Sequence, residues 1–458
     1  MRRFQVLAVV IALWGAGAAA QETTAVPLDQ AGQIAAQALL AGEVELALQI
    51  AEAVLAQLPD DRDALIVVAA AAPRVGDPAR GRSAGTQAWR VSETDAQKYE
   101  AARLTALAAA NEERFTLSTF WLRRALTVAP NEEQRAQTIR DARSVTRRNP
   151  WSTRLSFSLV PSNNVNGGAD SDDCTDAGIF NCSLSEDAVA LAGWRASLGF
   201  SAQYRLQEAQ DSRTFVGLQY QTTRVRITDD VDVPDEAFTT SNYTLSLRHD
   251  RALTNGTLGL NASRGRFEYR SLISSTNTTE AEEYDIWRLG IDRRIPINDR
   301  TLLSGSLGRE WLEYSVSGIG EVDRRRASIG LTYALDSRDR LSGSIAVSDS
   351  VGETNKNYTS QDITISATYS WAEPIGPISL SLGGGLRWNE FPEYRIGFTP
   401  ADKRNDRTMF VNANIGFPRV SYAGFTPSLR IDASQTESDV SRFDRTTLSA
   451  GFTISSQF

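Results

Sequence analysis

Histidine occurs once in the 458 residues, cysteine twice and methionine twice. The single imidazole, His249, sits in Leu247-Arg248-His249-Asp250 beside a predicted turn, where an ordinary surface position is expected. A serine or thiol nucleophile needs a base held next to it, and this chain offers one histidine at a strand end. No glycine-rich loop leads from a strand into a helix to cradle phosphate, and no His, Cys and carboxylate set has metal-ligand spacing. The run Gly383-Gly384-Gly385 lies inside a strand-like stretch, where glycine relieves crowding or permits a bend. The sequence thus points to no catalytic residue, no cofactor and no metal, and nothing in it suggests a nucleic-acid partner. Also missing is any run of about 20 apolar residues, which excludes a helical membrane span.

What the chain does have is alternation. Leu448, Ala450, Phe452, Ile454 and the terminal Phe458 fall on one face of the last stretch, with Thr447, Ser449, Thr453 and Ser455 on the other. A strand with one face to lipid and one to a polar lumen has this pattern, and a terminal aromatic is how outer-membrane barrels end. At the other end Arg2 and Arg3, the apolar Val6 to Trp14 and Ala18-Ala19-Ala20 read as a signal peptide over residues 1–20. A net charge of -8 and 41% hydrophobic residues would suit a soluble protein equally well, because lumen-facing polar residues dilute a barrel's average. Export also agrees with the cysteines. Cys174 and Cys182 share one Asp-rich loop, which in an oxidising compartment favours a local disulfide.

Residues 22–148 form a first region, rich in Ala, Leu, Gln and Arg, with apolar residues at helical spacing. Ile34, Ala38, Leu46, Ile50, Val54 and Leu58 make one stripe, interrupted at Ala41-Gly42 and ended by Pro59. A similar phrase, Phe120, Leu122, Ala125, Leu126 and Val128, precedes Pro130, and the two prolines are 71 residues apart. Two periods of about 34 residues give that spacing, so the region resembles a short, degenerate tetratricopeptide-like array. Pro73 to Gly85 reads as a loop.

At Asn149-Pro150-Trp151 the period changes to two, and residues 151–458 read as about fourteen strands of barrel-wall length. Short turns at 207–213, 250–256, 297–300, 336–340, 373–377 and 418–424 alternate with mostly longer polar connections at 163–187, 229–240, 272–281, 349–359 and 389–405. Short turns belong to the periplasmic side, which places both barrel ends and the helical region there. The expected fold is therefore an all-α domain followed by a transmembrane antiparallel barrel. A β-sandwich would have to crowd Trp194, Trp287, Trp311, Trp371 and Trp388 into one core, whereas a barrel sets them at the membrane interfaces. Positions facing the lumen include Arg195, Arg205, Arg248, Arg288, Arg387 and Arg430 with Asp292 and Asp432. An arginine excess there serves either anion passage or an internal salt-bridge lattice.

Two segments carry a resemblance to a known family. After the first strand stands Pro161-Ser162-Asn163-Asn164-Val165-Asn166, and near the end Gly424-Phe425-Thr426-Pro427-Ser428-Leu429, then Phe443-Asp444-Arg445. With the layout of leader, helical domain and barrel, these segments resemble the surface lipoprotein assembly modifier (Slam) family. The resemblance implies an outer-membrane translocator that delivers a client lipoprotein to the surface or secretes a soluble client protein. It also implies periplasmic chaperones as partners, and an outer-membrane insertion machinery that reads Phe458. The alternatives are a polysaccharide exporter, which usually has a much longer repeat array, and a passive channel or receptor with a periplasmic accessory domain.

Overall fold

The computed structural model describes residues 6–7, 26–176, 180–273, 278–316, 318–396, 399–400, 403–420 and 425–456. The leader assigned to residues 1–20, apart from Val6–Leu7, lies outside these, as do Gly424 and the terminal Phe458. Two compact units divide at Pro150/Trp151.

Among the described residues the first unit holds seven helices: α1 Leu28–Leu40, α2 Val44–Gln57, α3 Arg62–Ala71, α4 Pro78–Val91, α5 Asp95–Asn111, α6 Phe115–Thr127 and α7 Glu132–Arg148. Their starts are set by side chains that accept otherwise orphaned backbone N–H groups: Asp61 from Ala64 at 2.8 Å, and Asn131 from Gln134 at 2.9 Å. Thr94 and Gln97 complete a reciprocal capping box at the start of α5. Neighbouring helices pack through small residues, with Ala47, Ala51, Ala64, Ala72, Ala88 and Ala101 buried in one cluster. The segment Pro73 to Gly85, expected as a loop, instead forms a short 3-10 turn and most of α4. Asp77 caps that helix and Pro78 fits its first turn, where no N–H is needed. Gly85 is a contact residue: a Cβ there would stand 2.3 Å from the Thr105 hydroxyl on α5.

The second unit is a closed barrel of fourteen antiparallel strands. In chain order these are β1 Trp151–Ser162, β2 Gly193–Glu208, β3 Ser212–Ile227, β4 Thr240–Leu253, β5 Gly256–Ile273, β6 Thr278–Asn298 and β7 Thr301–Tyr314. They continue as β8 Glu321–Ala334, β9 Arg340–Gly352, β10 Ser360–Ser370, β11 Ser379–Phe391, β12 Arg404–Gly416, β13 Phe425–Ser438 and β14 Arg445–Ser456. Each strand pairs with its chain neighbours, and β14 returns to β1. That seam carries an irregularity. Phe452, Thr453 and Ile454 pair with Leu159, Ser158 and Phe157, and Ser449 with Ser162. Between them lies Pro161, which has no N–H to donate. Above Ser162 the seam continues through backbone and side chain together: the Asn163 N–H donates to the Leu448 carbonyl at 3.3 Å, and the Leu448 N–H donates to Asn163 Oδ1 at 2.7 Å.

The outer wall is apolar over its middle. Leu198, Leu245, Leu307, Ile329, Ile345, Ile365, Val411 and Phe452 are exposed, Leu307 at 62%. A continuous exposed apolar band of this kind far exceeds what water tolerates and matches the hydrocarbon of a bilayer. Trp151, Tyr204, Tyr333 and Tyr369 ring the short-turn end, with Trp194, Trp287 and Trp388 toward the long-loop end. Above them the same outer face turns charged: the Arg264 guanidinium stacks on Trp287 at 4.9 Å and bonds Asp285, and Arg309 stacks on Trp311 and bonds Asp323. The wall thus projects beyond the lipid. The protein is an outer-membrane barrel, with its helical region on the periplasmic side.

Projection explains one departure from expectation. Residues 272–281 were expected as a loop, but β5 and β6 run 18 and 21 residues and pair out to Ile273 and Thr278. Outer connections at 315–320 and 439–444, which sequence periodicity did not separate from strand, complete the set.

Candidate functional site: the barrel lumen

Alternation along each strand sends one residue set inward. Over the short-turn half of β1, β2 and β7 to β10 these are mostly small: Ser156, Ser158, Ser197, Gly199, Ser201, Ser304, Ser306, Gly330, Ser342, Ser344 and Ser366. Hydroxyls on neighbouring strands bond each other, as in Ser306 with Ser328 at 2.7 Å and Ser344 with Ser366 at 2.9 Å. Above them the lining turns to arginine and aromatic rings. Phe267 and Tyr284 stack at 5.2 Å between centroids, and Tyr314 lies tilted against Tyr284 at 4.6 Å and against Tyr358 of an outer loop at 5.5 Å. Ile286, Leu312 and Val322 are buried beside them, so the lumen narrows toward the outside. Burial pushes the pKa of the loop residues Tyr358 and Tyr394 up, as expected for phenols held away from water.

Most of the inward charges are joined to one another. Arg248 donates to both oxygens of Asp292, at 2.9 and 3.1 Å, and also pairs with Asp250. The pair spans two strands because Gly259 lies between; a Cβ there would stand 2.4 Å from Arg248 Nη2. Arg288 reaches Glu310 at 3.2 Å, and the same carboxylate receives Arg324 at 3.5 Å and Arg326 at 3.1 Å. Arg430 pairs with Asp432 at 2.8 Å, and Arg205 with Glu208 at 3.1 Å. Six of the eight predicted lumen residues therefore belong to the wall's internal lattice. Arg195 and Arg387 do not.

Arg195 donates to the Val165 carbonyl at 2.7 Å, and Arg387 to the Thr364 hydroxyl at 3.1 Å. Neither has an ion-pair partner among the described residues. Both line a cavity of about 380 Å³ together with Asn164, Thr408, Phe410, Ser434, Thr436, Thr447 and a third arginine, Arg445. A neighbouring cavity of about 770 Å³ holds Arg324, Arg326, Arg387 and Arg404 with Asp362. Residues that sequence reasoning did not single out are Glu310, Arg324, Arg326, Arg404 and Asp406, and Arg445 was singled out only as part of the Phe443-Asp444-Arg445 segment and not for the lumen. Their inward parity was available as a signal, but the outer halves of their strands were not assigned.

The remaining predicted residues have local roles. Asn164 is buried and closes its own loop, its Nδ2 donating to the Gly168 carbonyl and its Oδ1 accepting from the Gly168 N–H, both at 2.9 Å. Asn166 donates to the Val189 carbonyl and accepts from the Leu191 N–H, while Val165 packs on Leu191 and Val225. Phe425 and Pro427 are wall residues paired with β14. Cys174 and Cys182 stand directly opposite in a two-stranded ladder, Asp173–Asp176 against Phe180–Ser183. His249 lies outside the lumen and bonds Thr214 at 2.9 Å. In the outer loops, Asp170 and Asp235 accept backbone N–H groups from Thr446 and Ile227. No cluster of His, Cys, Asp and Glu placed to hold a metal occurs among the described residues.

Together these features define the class: an outer-membrane β-barrel preceded by an all-α region. No family model matches the chain, and no curated protein does. Among solved structures it is similar to OccAB3 of Acinetobacter baumannii, with 12% identity over 67% of this chain and 98% of that one, at a TM-score of 0.35. It is similar as well to the Pseudomonas putida toluene transporter TodX, with 12% identity over 67% and 89% and a TM-score of 0.31. A match covering 26% of this chain is to the Yersinia enterocolitica chaperone SycD, with 13% identity over 83% of that chain and a TM-score of 0.24.

The resemblance to the surface lipoprotein assembly family, and the client delivery it implied, are accordingly corrected. No family model matches the chain, and the barrels it is similar to include a monoaromatic hydrocarbon channel and a toluene transporter. The physical reason is visible in the motif: Asn163, Asn164 and Asn166 cap backbone groups of the seam and of their own loop, a task any such loop sets.

Proposed function

We propose that this chain is an outer-membrane channel for small polar solutes, with a tetratricopeptide-like accessory domain on its periplasmic side. The observation that carries the reading is the lumen lining, with small serine and glycine side chains over much of the short-turn half, beside the Arg248–Asp292 and Arg430–Asp432 pairs, and cavities along the wall above. Side chains fill the interior at about 8 strands and leave an aqueous channel at about 16 to 18. A fourteen-stranded wall lined by such small residues lies toward the open end of that range. Its selectivity arises in the narrower outer half, where arginines and rings meet the passing solute.

The test is electrical. Full-length protein reconstituted into planar bilayers should give stepwise conductance that rises with salt concentration. Silent bilayers, from protein whose unheated band in SDS gels shows a folded barrel, overturn the channel reading.

A further inference from the structure

We propose that Arg195, Arg387 and Arg445 form an oxyanion-binding constriction that selects small solutes carrying a carboxylate or phosphate. The inference deepens the channel reading and rests on it for passage, though not for binding. The three side chains come from β2, β11 and β14 and converge on the cavity of about 380 Å³ inside the lumen. No carboxylate lines that cavity, and none of the three has an ion-pair partner among the described residues. Every other arginine predicted for the lumen is neutralised by a neighbour, so this exception is local and not a general feature of the wall.

Two of the guanidinium groups are held in place by neutral acceptors. Arg195 is fixed by the carbonyls of Asn164 and Val165, and Arg387 by the Thr364 hydroxyl. Neutral acceptors orient a guanidinium without cancelling its charge, and its fork suits two oxygens of one anion. Thr408 adds a hydroxyl and Phe410 an apolar ring, which together accommodate a small organic body behind the charged group. A volume of about 380 Å³ lies at the lower end of ligand pockets and limits the solute to a small molecule.

The experiment compares wild type, the double variant R387Q/R445Q and the single variant R430Q, whose arginine pairs with Asp432 elsewhere in the lumen. Reversal potentials in a KCl gradient and block of chloride current by inorganic phosphate are read for each, and calorimetry measures phosphate binding to the detergent-solubilised full chain. Wild type should favour anions, and R387Q/R445Q should lose most of that preference and weaken phosphate block and binding by about tenfold or more. R430Q should keep both. A wild type that binds no phosphate, or an R430Q as impaired as the double variant, overturns the site, the second because charge would then act diffusely. Phosphate binding that is lost in R387Q/R445Q while bilayers stay silent supports the site and rejects the channel. Gel mobility of unheated samples confirms that each variant forms the barrel.

Discussion

Replacing Arg404 with alanine should release two outer loops from the barrel without unfolding it. Arg404 is 8% exposed and lies between the rings of Phe391 and Phe443, its guanidinium carbon 3.7 and 3.6 Å from their centroids, with Tyr394 at 5.1 Å. Its Nε and Nη2 donate to the two oxygens of Asp406 at 3.0 and 2.8 Å. Tyr394 belongs to the connection after β11, and Phe443 to the one before β14, so this side chain ties both to β12. Breaking a buried pair while leaving one charge behind costs about 3–5 kcal/mol, and each desolvated cation–π contact contributes up to about 2 kcal/mol, not additively. The β12 ladder keeps its backbone bonds on both sides, so the loss falls on the loops. A cost of about 3–5 kcal/mol raises the released population roughly a hundred- to several-thousand-fold. The assay is trypsin cleavage from outside on inserted protein, at Arg395, Lys403 or Arg442, followed by mass spectrometry. R404A should be cut far faster than wild type, and R404A/D406A should recover much of the protection, since no charge is then stranded. Equal cleavage of R404A and wild type refutes the reasoning, as does a double variant no better than the single.

Other outcomes follow from the same geometry. Cys174 and Cys182 should take up alkylating reagent only after reduction of the exported protein, and full labelling without reductant would show that their facing positions are not cross-linked. Glu310→Gln leaves Arg288, Arg324 and Arg326 without their shared carboxylate, and partial solvent screening limits the loss to about 1–3 kcal/mol in a denaturant midpoint. An unchanged midpoint would mean that the lattice does not stabilise the wall. Gly85→Val should weaken the α4 to α5 contact by about 1–3 kcal/mol and lower the helical melting transition by circular dichroism, while the barrel band in gels stays the same. Deleting Phe458 should reduce the amount of inserted protein rather than the conductance per inserted molecule; normal insertion would remove the terminal aromatic from the assembly signal.

Much of the architecture was legible because two periodicities differ so clearly. Apolar spacing of 3.6 marked α1, α2 and α6, and spacing of 2 marked the wall from Trp151 onward. Glycine misled at α4, since Gly81 and Gly85 serve close helix contacts there and not a loop. Charge misled at β5 and β6, where Arg264, Arg266, Glu283 and Asp285 face water above the lipid while the strands continue. Parity told which residues face inward but not which of them are joined. Arg248 and Asp292 lie 44 residues apart and meet only because Gly259 on the intervening strand has no side chain. The cavity arginines come from three strands far apart in the chain, and no local pattern announces their meeting.

The seam between β1 and β14 bears on how the cylinder is made. Thirteen of the fourteen joints connect strands adjacent in the chain, so each forms as a hairpin, whereas this one joins the first strand to the last. With Pro161 unable to donate and the Asn163 side chain accepting the Leu448 N–H in place of a backbone carbonyl, it is the least regular line in the wall. The molecule is in this sense a rolled strip held by a clasp. Its circumference becomes complete only after β14 reaches β1, and the asparagine at the clasp serves that closure.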